Sequence, residues 1–155
     1  MGLPVTAPAG PVAVSACLLG HACRFNGASR YRQPIADLAF ERKLVPICPE
    51  VMGGLGTPRK AAEIVTKESG SRIVIDAAGN DITSHYAQGA ARALSRVLDE
   101  ECGCAILCDK SPSCGCGHVF DGTFTGTIIE GNGITTQLLI DADIPVFADT
   151  DIMRH

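Results

Sequence analysis

Cysteine is the residue type that asks for an explanation: eight occur in a chain of 155 residues. Soft thiolates select zinc, copper(I) or iron–sulfur clusters, and spacing discriminates among them. Structural zinc sites use tight C-x-x-C pairs, and this chain has none. Cys102-Gly103-Cys104 and Cys114-Gly115-Cys116 leave a one-residue gap, a poorer chelate for one ion. Ferredoxin-type electron carriers bring four cysteines, mostly in one compact run, and that pattern is absent too. The cysteines are instead dispersed, with Cys17, Cys48 and Cys114 far apart. Glu50 stands two residues after Cys48, and Ser111 and Ser113 stand just before Cys114. A carboxylate and a hydroxyl beside a metal are the groups that move and orient protons.

The elements that must bring such residues together are short. Buried strands are predicted at 11–16 (PVAVSA), 44–48 (LVPIC), 72–76 (RIVID), 104–108 (CAILC) and 144–147. Pro46 marks the second of these as an edge or irregular position. Helices are predicted at 34–43, from Asp81 or Thr83 to about 101, and at 134–142; Tyr86, Ala90, Leu94 and Val97 share one face of the long one. The glycine-rich stretch 115–133 reads as loops with one hairpin around Asp121-Gly122. It lacks the P-loop pattern.

Strands alternating with helices imply an α/β fold, a single Rossmann-like three-layer domain with a mainly parallel sheet. In such sheets the loops leaving the carboxyl ends of the strands build the ligand site. Cys17 follows the first strand, Cys48 and Glu50 end the second, and Cys108, Ser111, Ser113 and Cys114 leave the 104–108 strand. One cysteine from each of three loops suits a cuboidal cluster with three protein ligands, its fourth iron open to substrate or water.

These motifs, taken in order, carry a resemblance. Ser15-Ala16-Cys17-Leu18-Leu19-Gly20, Cys23-Arg24-Phe25-Asn26-Gly27, Cys48-Pro49-Glu50-Val51-Met52-Gly53-Gly54-Leu55, Thr57-Pro58-Arg59 and Ser111-Pro112-Ser113-Cys114-Gly115 resemble the thiouracil desulfidase family. Asp121-Gly122-Thr123-Phe124 and Ile144-Pro145-Val146-Phe147 extend the match over nearly the whole chain. The resemblance implies a 4Fe–4S cluster held by Cys17, Cys48 and Cys114 with one open iron. It implies Glu50 as the acid–base residue and Ser111 as the catalytic serine, with Ser113 two residues on as the rival. It also implies a non-redox reaction that removes sulfur from a thiolated nucleobase, giving the oxo-base and hydrogen sulfide. Phe25-Asn26 stands where the family more commonly has Tyr-Asp, and Gly56 where it has Pro; both bear on substrate fit and neither touches the implied ligands.

Other functions stay in view. A sulfur carrier or iron–sulfur scaffold, a cluster-dependent lyase on another small substrate, and a zinc-stabilised binding module all use dispersed cysteines. Cys104 reads as core, Cys102 as a helix end, and Cys108 as core or near the cluster. Cys23 and Cys116 are candidates for a fourth ligand or a sulfur relay. Arg24 and Arg59 serve equally well to orient a base or to pair with acids. Ser15 is placed to hydrogen-bond near the cluster, and the four histidines show no metal-ligand spacing.

Composition bounds the rest. The charged fraction is 19% and the hydrophobic fraction 46%, an ordinary globular balance in one domain, 11–155. Residues 1–10 read as a flexible leader without the basic start of a signal peptide, which places the protein in the cytoplasm. A net charge of −4 disfavours a nucleic-acid partner or an anionic membrane. A small-molecule thiobase remains the expected partner, and self-association into a homo-oligomer is left open.

Overall fold

The computed structural model describes residue 3 and residues 7–153. Residues 1, 2 and 4–6 of the expected leader therefore lie outside the described residues. Leu3 and Ala7 pack against the main core, and the Arg42 guanidinium holds the Pro8 and Gly10 carbonyls.

The elements run β1 (Val12–Ser15), a 3-10 turn (Ala16–Leu19), α1 (Gln33–Ala36), a second 3-10 turn (Asp37–Phe40), β2 (Leu44–Ile47), α2 (Pro49–Met52), β3 (Ala62–Thr66) and β4 (Arg72–Asp76). There follow α3 (Thr83–Asp99), β5 (Cys104–Leu107), β6 (His118–Phe120), β7 (Ile128–Glu130), α4 (Ile134–Asp141), β8 (Val146–Ala148) and α5 (Asp149–Met153). The fold is mixed α/β, with a four-stranded parallel sheet in the order β2-β1-β5-β8.

Each sheet position follows from its sequence. Strands β1 (VAVS) and β5 (CAIL) are buried at every residue, as expected for central parallel strands covered on both faces. Pro46 in β2 lacks the N–H that a second neighbour would need, and β2 is an edge strand, as its proline predicts. Helices α3 and α4 pack together, as do α1 and α5. Ala93, Val97 and Leu139 from the first pair, and Ile35, Leu38 and Ile152 from the second with the turn after α1, enter one core with the strands.

Three features differ from the sequence expectation. The helix at 34–43 is α1 plus a 3-10 turn. Its two buried apolar residues, Ile35 and Leu38, are three apart, which suits the tighter period. The predicted strand 72–76 exists but is not in the main sheet; it pairs antiparallel with β3. Strand β3 itself carries no clear apolar alternation, because Glu63 is one of its buried residues. The Glu63 carboxylate accepts the Gly122 and Phe124 amides. A charged side chain is thus spent holding the loop that joins β6 to β7, the hairpin expected around Asp121-Gly122.

Among the described residues no helix is long and apolar enough to cross a membrane.

Candidate active site

The chain leaves β1 toward β2 on one side and leaves β5 toward β8 on the other. The crevice between the carboxyl ends of β1 and β5 is therefore a topological switch point, where open α/β sheets bind ligands. A cavity of about 340 Å³ opens there. Cys17, Cys48 and Cys114 all line it, together with Glu50 and Ser111. The three cysteines implied as ligands, Glu50 and Ser111 are thus brought to one place.

Cys17 enters from the 3-10 turn after β1, closed by Gly20 in the left-handed region at φ 98°. Cys48 sits between β2 and α2, whose first turn holds Pro49 and Glu50. Cys114 follows a turn built by Ser111, whose Oγ accepts the N–H groups of Ser113 at 3.1 Å and Cys114 at 3.1 Å. A Cβ on Gly115 would meet the Ser111 carbonyl oxygen at 2.8 Å and the His118 carbonyl oxygen at 2.6 Å, so only glycine lets the chain turn this tightly.

Two further thiols line the cavity, Cys23 and Cys108. The Cys108 amide donates to Ser15 Oγ at 2.9 Å, tying the ends of β1 and β5 together. Arg30 lies 3.7 Å from Cys108 Sγ and 3.8 Å from the fully buried Asp149 carboxylate. Asp149 in turn accepts the Asp109 amide at 2.8 Å. Cys104 and Cys102 are buried away from the cavity, as core residues. Cys116 does not line it either; its thiol faces the Val146 carbonyl at 3.7 Å.

The thiols perturb one another. Hydrogen bonds to Cys108 and Cys23, and then burial, push the Cys17 thiol far above the ordinary range. Cys48 is pushed up by its hydrogen bond to Cys23 and by burial. Burial drives Cys114 up to about 12. Cys23 accepts from Cys17 and Cys48 and is drawn down, and Cys108 is drawn down by its hydrogen bond from Cys17. Free of metal, the site keeps protons on Cys17, Cys48 and Cys114, and those protons leave when a metal takes the thiolates. Among the described residues no three His, Cys, Asp or Glu side chains lie close enough to share one metal ion.

Glu50 is held from two sides. Its Oε2 accepts from Tyr86 Oη at 2.7 Å and lies 3.2 Å from an Arg59 terminal nitrogen. Its Oε1 meets, among the described residues, only the Ser111 hydroxyl, at 3.5 Å. Tyr86 is 2% exposed. Its phenol is pushed above the usual range by burial, then by the Glu50 charge and hydrogen bond, and so stays a donor. Arg59 also donates to the Cys23 carbonyl at 3.0 Å, which stitches two motif loops together. Ser113 is 1% exposed, points away from the cavity and shares a 2.8 Å hydrogen bond with Thr135. Of the two serines, only Ser111 reaches Glu50.

The docking of α2 on α3 sets this geometry. A Cβ on Gly89 would overlap the Pro49 carbonyl, and one on Gly53 the His85 carbonyl. Both glycines therefore serve close helix approach. At the carboxyl end of α2, Arg92 donates to the Met52 carbonyl and His85 Nδ1 meets the Gly53 carbonyl at 2.8 Å. Free carbonyls at a helix end favour such cationic and polar partners. Tyr86, Gly89 and Arg92 are spaced by three along α3, so one helix stripe both admits α2 and grips Glu50. The helical face was legible in sequence; the catalytic-side partner of the Tyr86 hydroxyl was not. The signal that points to it is the small-residue run Gly89-Ala90-Ala91 on an otherwise ordinary amphipathic helix.

The chain is similar to known proteins in sequence and in fold. The family model for 2-thiouracil desulfurase matches residues 12–151. A protein of Bacillus subtilis (strain 168), the uncharacterized protein YbbK, is 39% identical over 146 residues, covering 91% of this chain and 97% of its own length. Among solved structures, the 4Fe–4S-dependent thiouracil desulfidase TudS superposes with a TM-score of 0.84 at 36% identity, covering 94% of this chain and 95% of that one.

Proposed function

Because the chain belongs to the 2-thiouracil desulfurase family, we propose that it is a cluster-dependent, non-redox desulfidase acting on thiouracil or a related thiolated nucleobase. The observation that carries this reading is the meeting of Cys17, Cys48 and Cys114, from three separate loops, in one cavity with the Glu50–Ser111 pair. The overall reaction balances as thiocarbonyl plus water giving carbonyl plus hydrogen sulfide, with no electron carrier required.

The donor set fits a 4Fe–4S cluster. Three soft thiols stand on three loops around a roomy, partly apolar cavity, and soft thiolates are the ligands such clusters take. Cys17, Cys48 and Cys114 would hold it. Once bound, it supplies a Lewis-acid iron for a soft sulfur atom and for the charge that develops there.

The protein's own groups do the remaining work. Phe25 and Phe120 line the cavity and offer flat apolar walls to a planar base. Glu50 Oε1 faces the Ser111 hydroxyl and has no other partner among the described residues, so it can take a proton from the attacking water and return one to the departing sulfur or to a ring nitrogen. Ser111, fixed by the two amides it accepts, keeps its hydroxyl proton for the carboxylate or the substrate.

Cys23 and Cys108 bring the cavity thiols to five, and this favours, as a second reading, a sulfur carrier or scaffold that passes its cargo on. Sulfide release from 2- and 4-thiouracil by anaerobically reconstituted protein separates the two. Catalytic turnover supports the desulfidase. A loaded cluster with at most stoichiometric sulfur transfer supports the carrier and removes the lead reading.

A further inference from the structure

Glu50 has two oxygens in different situations. Oε2 faces two donors, Tyr86 Oη at 2.7 Å and Arg59 at 3.2 Å. Oε1 has, among the described residues, a single long contact, 3.5 Å, with the Ser111 hydroxyl on the cavity wall. Arginine cannot accept a hydrogen bond, and the Tyr86 hydroxyl, 2% exposed with Glu50 as its partner, is committed as a donor.

We propose that Tyr86 is a positioning residue acting through Glu50: together with Arg59 it anchors Oε2 and so holds Oε1 toward the cavity and the Ser111 hydroxyl. Arg59 is itself tied down by the Gly56 and Cys23 carbonyls. The Tyr86 ring comes from the long helix α3, pressed against α2 through Gly53 and Gly89. A rigid element thus aims a group on a four-residue helix that has little rigidity of its own. Catalytic groups need support of this kind to stay in register.

The inference rests on the desulfidase reading, and the test keeps the two apart. Tyr86→Phe keeps the ring and its packing and removes one donor to a charged group. A hydrogen bond of that kind corresponds to a fall in kcat of about 10- to 100-fold, with KM held within about threefold. The second arm uses cluster-free protein. In urea unfolding, Tyr86→Phe lowers the midpoint in the wild-type background and has much less effect, or the opposite one, beside Glu50→Ala. Unchanged kcat in fully loaded Tyr86→Phe overturns the proposal. So does a raised KM with kcat intact, since Tyr86 would then only shape the pocket. Equal midpoint shifts in both backgrounds overturn it as well. A loaded wild type that releases no sulfide overturns the desulfidase reading instead, and the unfolding cycle still decides whether Tyr86 acts on Glu50.

Discussion

Gly89→Ala puts two effects of opposite sign in competition. Alanine is the best helix former, and at an interior position of α3 it should gain about 1 kcal/mol over glycine. Against that, its Cβ would overlap the Pro49 carbonyl oxygen, with the Gly53 amide nitrogen 3.1 Å away. Both obstacles are backbone, so no side chain can swing aside. The two helices must separate by more than 1 Å, roughly, to restore van der Waals contact. Overpacking of this kind costs about 1–3 kcal/mol and more when backbone must move. The clash wins, with a net loss of about 2 kcal/mol, or about 4–8 °C in Tm for a domain of this size. The functional loss is larger than the stability loss suggests. Pushing α2 off α3 carries Glu50 away from Tyr86 and Ser111, and a 1 Å misplacement costs roughly 100-fold in rate. Gly56→Ala is the control for stability, because a Cβ there meets nothing within 4 Å. The assays are thermal unfolding of cluster-free protein and sulfide release by loaded protein. A Gly89→Ala protein as stable as the wild type and fully active would refute the claim that helix contact positions the carboxylate.

Further outcomes follow from the same geometry. Ser111→Ala removes the acceptor for two amides and the Glu50 contact together, and kcat should fall by about 10- to 1,000-fold, comparable to losing one polar group at the reacting centre. Ser113→Ala should leave kcat within about twofold and cost about 1 kcal/mol of stability from its buried bond to Thr135; the two serines exchanging these phenotypes would reverse the assignment. At alkaline pH the sign comes from Tyr86, whose phenol holds its proton harder in the folded chain. That contribution is complete below about pH 10, the ordinary tyrosine value, and is lost as pH rises through the higher folded value. Cluster-free wild type should therefore lose urea resistance above about pH 10 faster than Tyr86→Phe, and Tyr86 should add its tyrosinate absorbance only on unfolding. Parallel loss in both proteins would contradict the buried donor.

Legibility in the sequence tracked the kind of force involved. The central strands VAVS and CAIL are continuous apolar runs, and Pro46 marked an edge, so the parallel sheet and the ends from which Cys17, Cys48 and Cys114 emerge could be read directly. The β3–β4 hairpin could not be placed, because Glu63 is buried to bind amides some 60 residues away and breaks the pattern that signals a strand. Cys108 was ambiguous between core and site: it ends a buried strand, yet its thiol meets Cys17, and only the crossing of two strand ends decides that. Ser111 and Ser113 are alike in sequence, and what distinguishes them is Thr135, which arrives from a distant helix to claim Ser113. Tyr86 was visible as a core residue of α3, which it is; its hydroxyl's service to Glu50 depends on two glycines admitting another helix.

In the proposed function Cys17, Cys48 and Cys114 jointly hold a cluster on which thiobase desulfidation depends. The most direct measurement is sulfide release from thiouracil, with iron and acid-labile sulfide counted per chain, for anaerobically reconstituted wild type and for Cys17→Ser, Cys48→Ser, Cys114→Ser and Cys116→Ser. Turnover and full cluster loading are expected in the wild type and in Cys116→Ser, whose thiol faces away from the cavity, and loss of both in the other three. Equal turnover by cluster-free, zinc-loaded wild type, or full loading and turnover in any of those three variants, would contradict it.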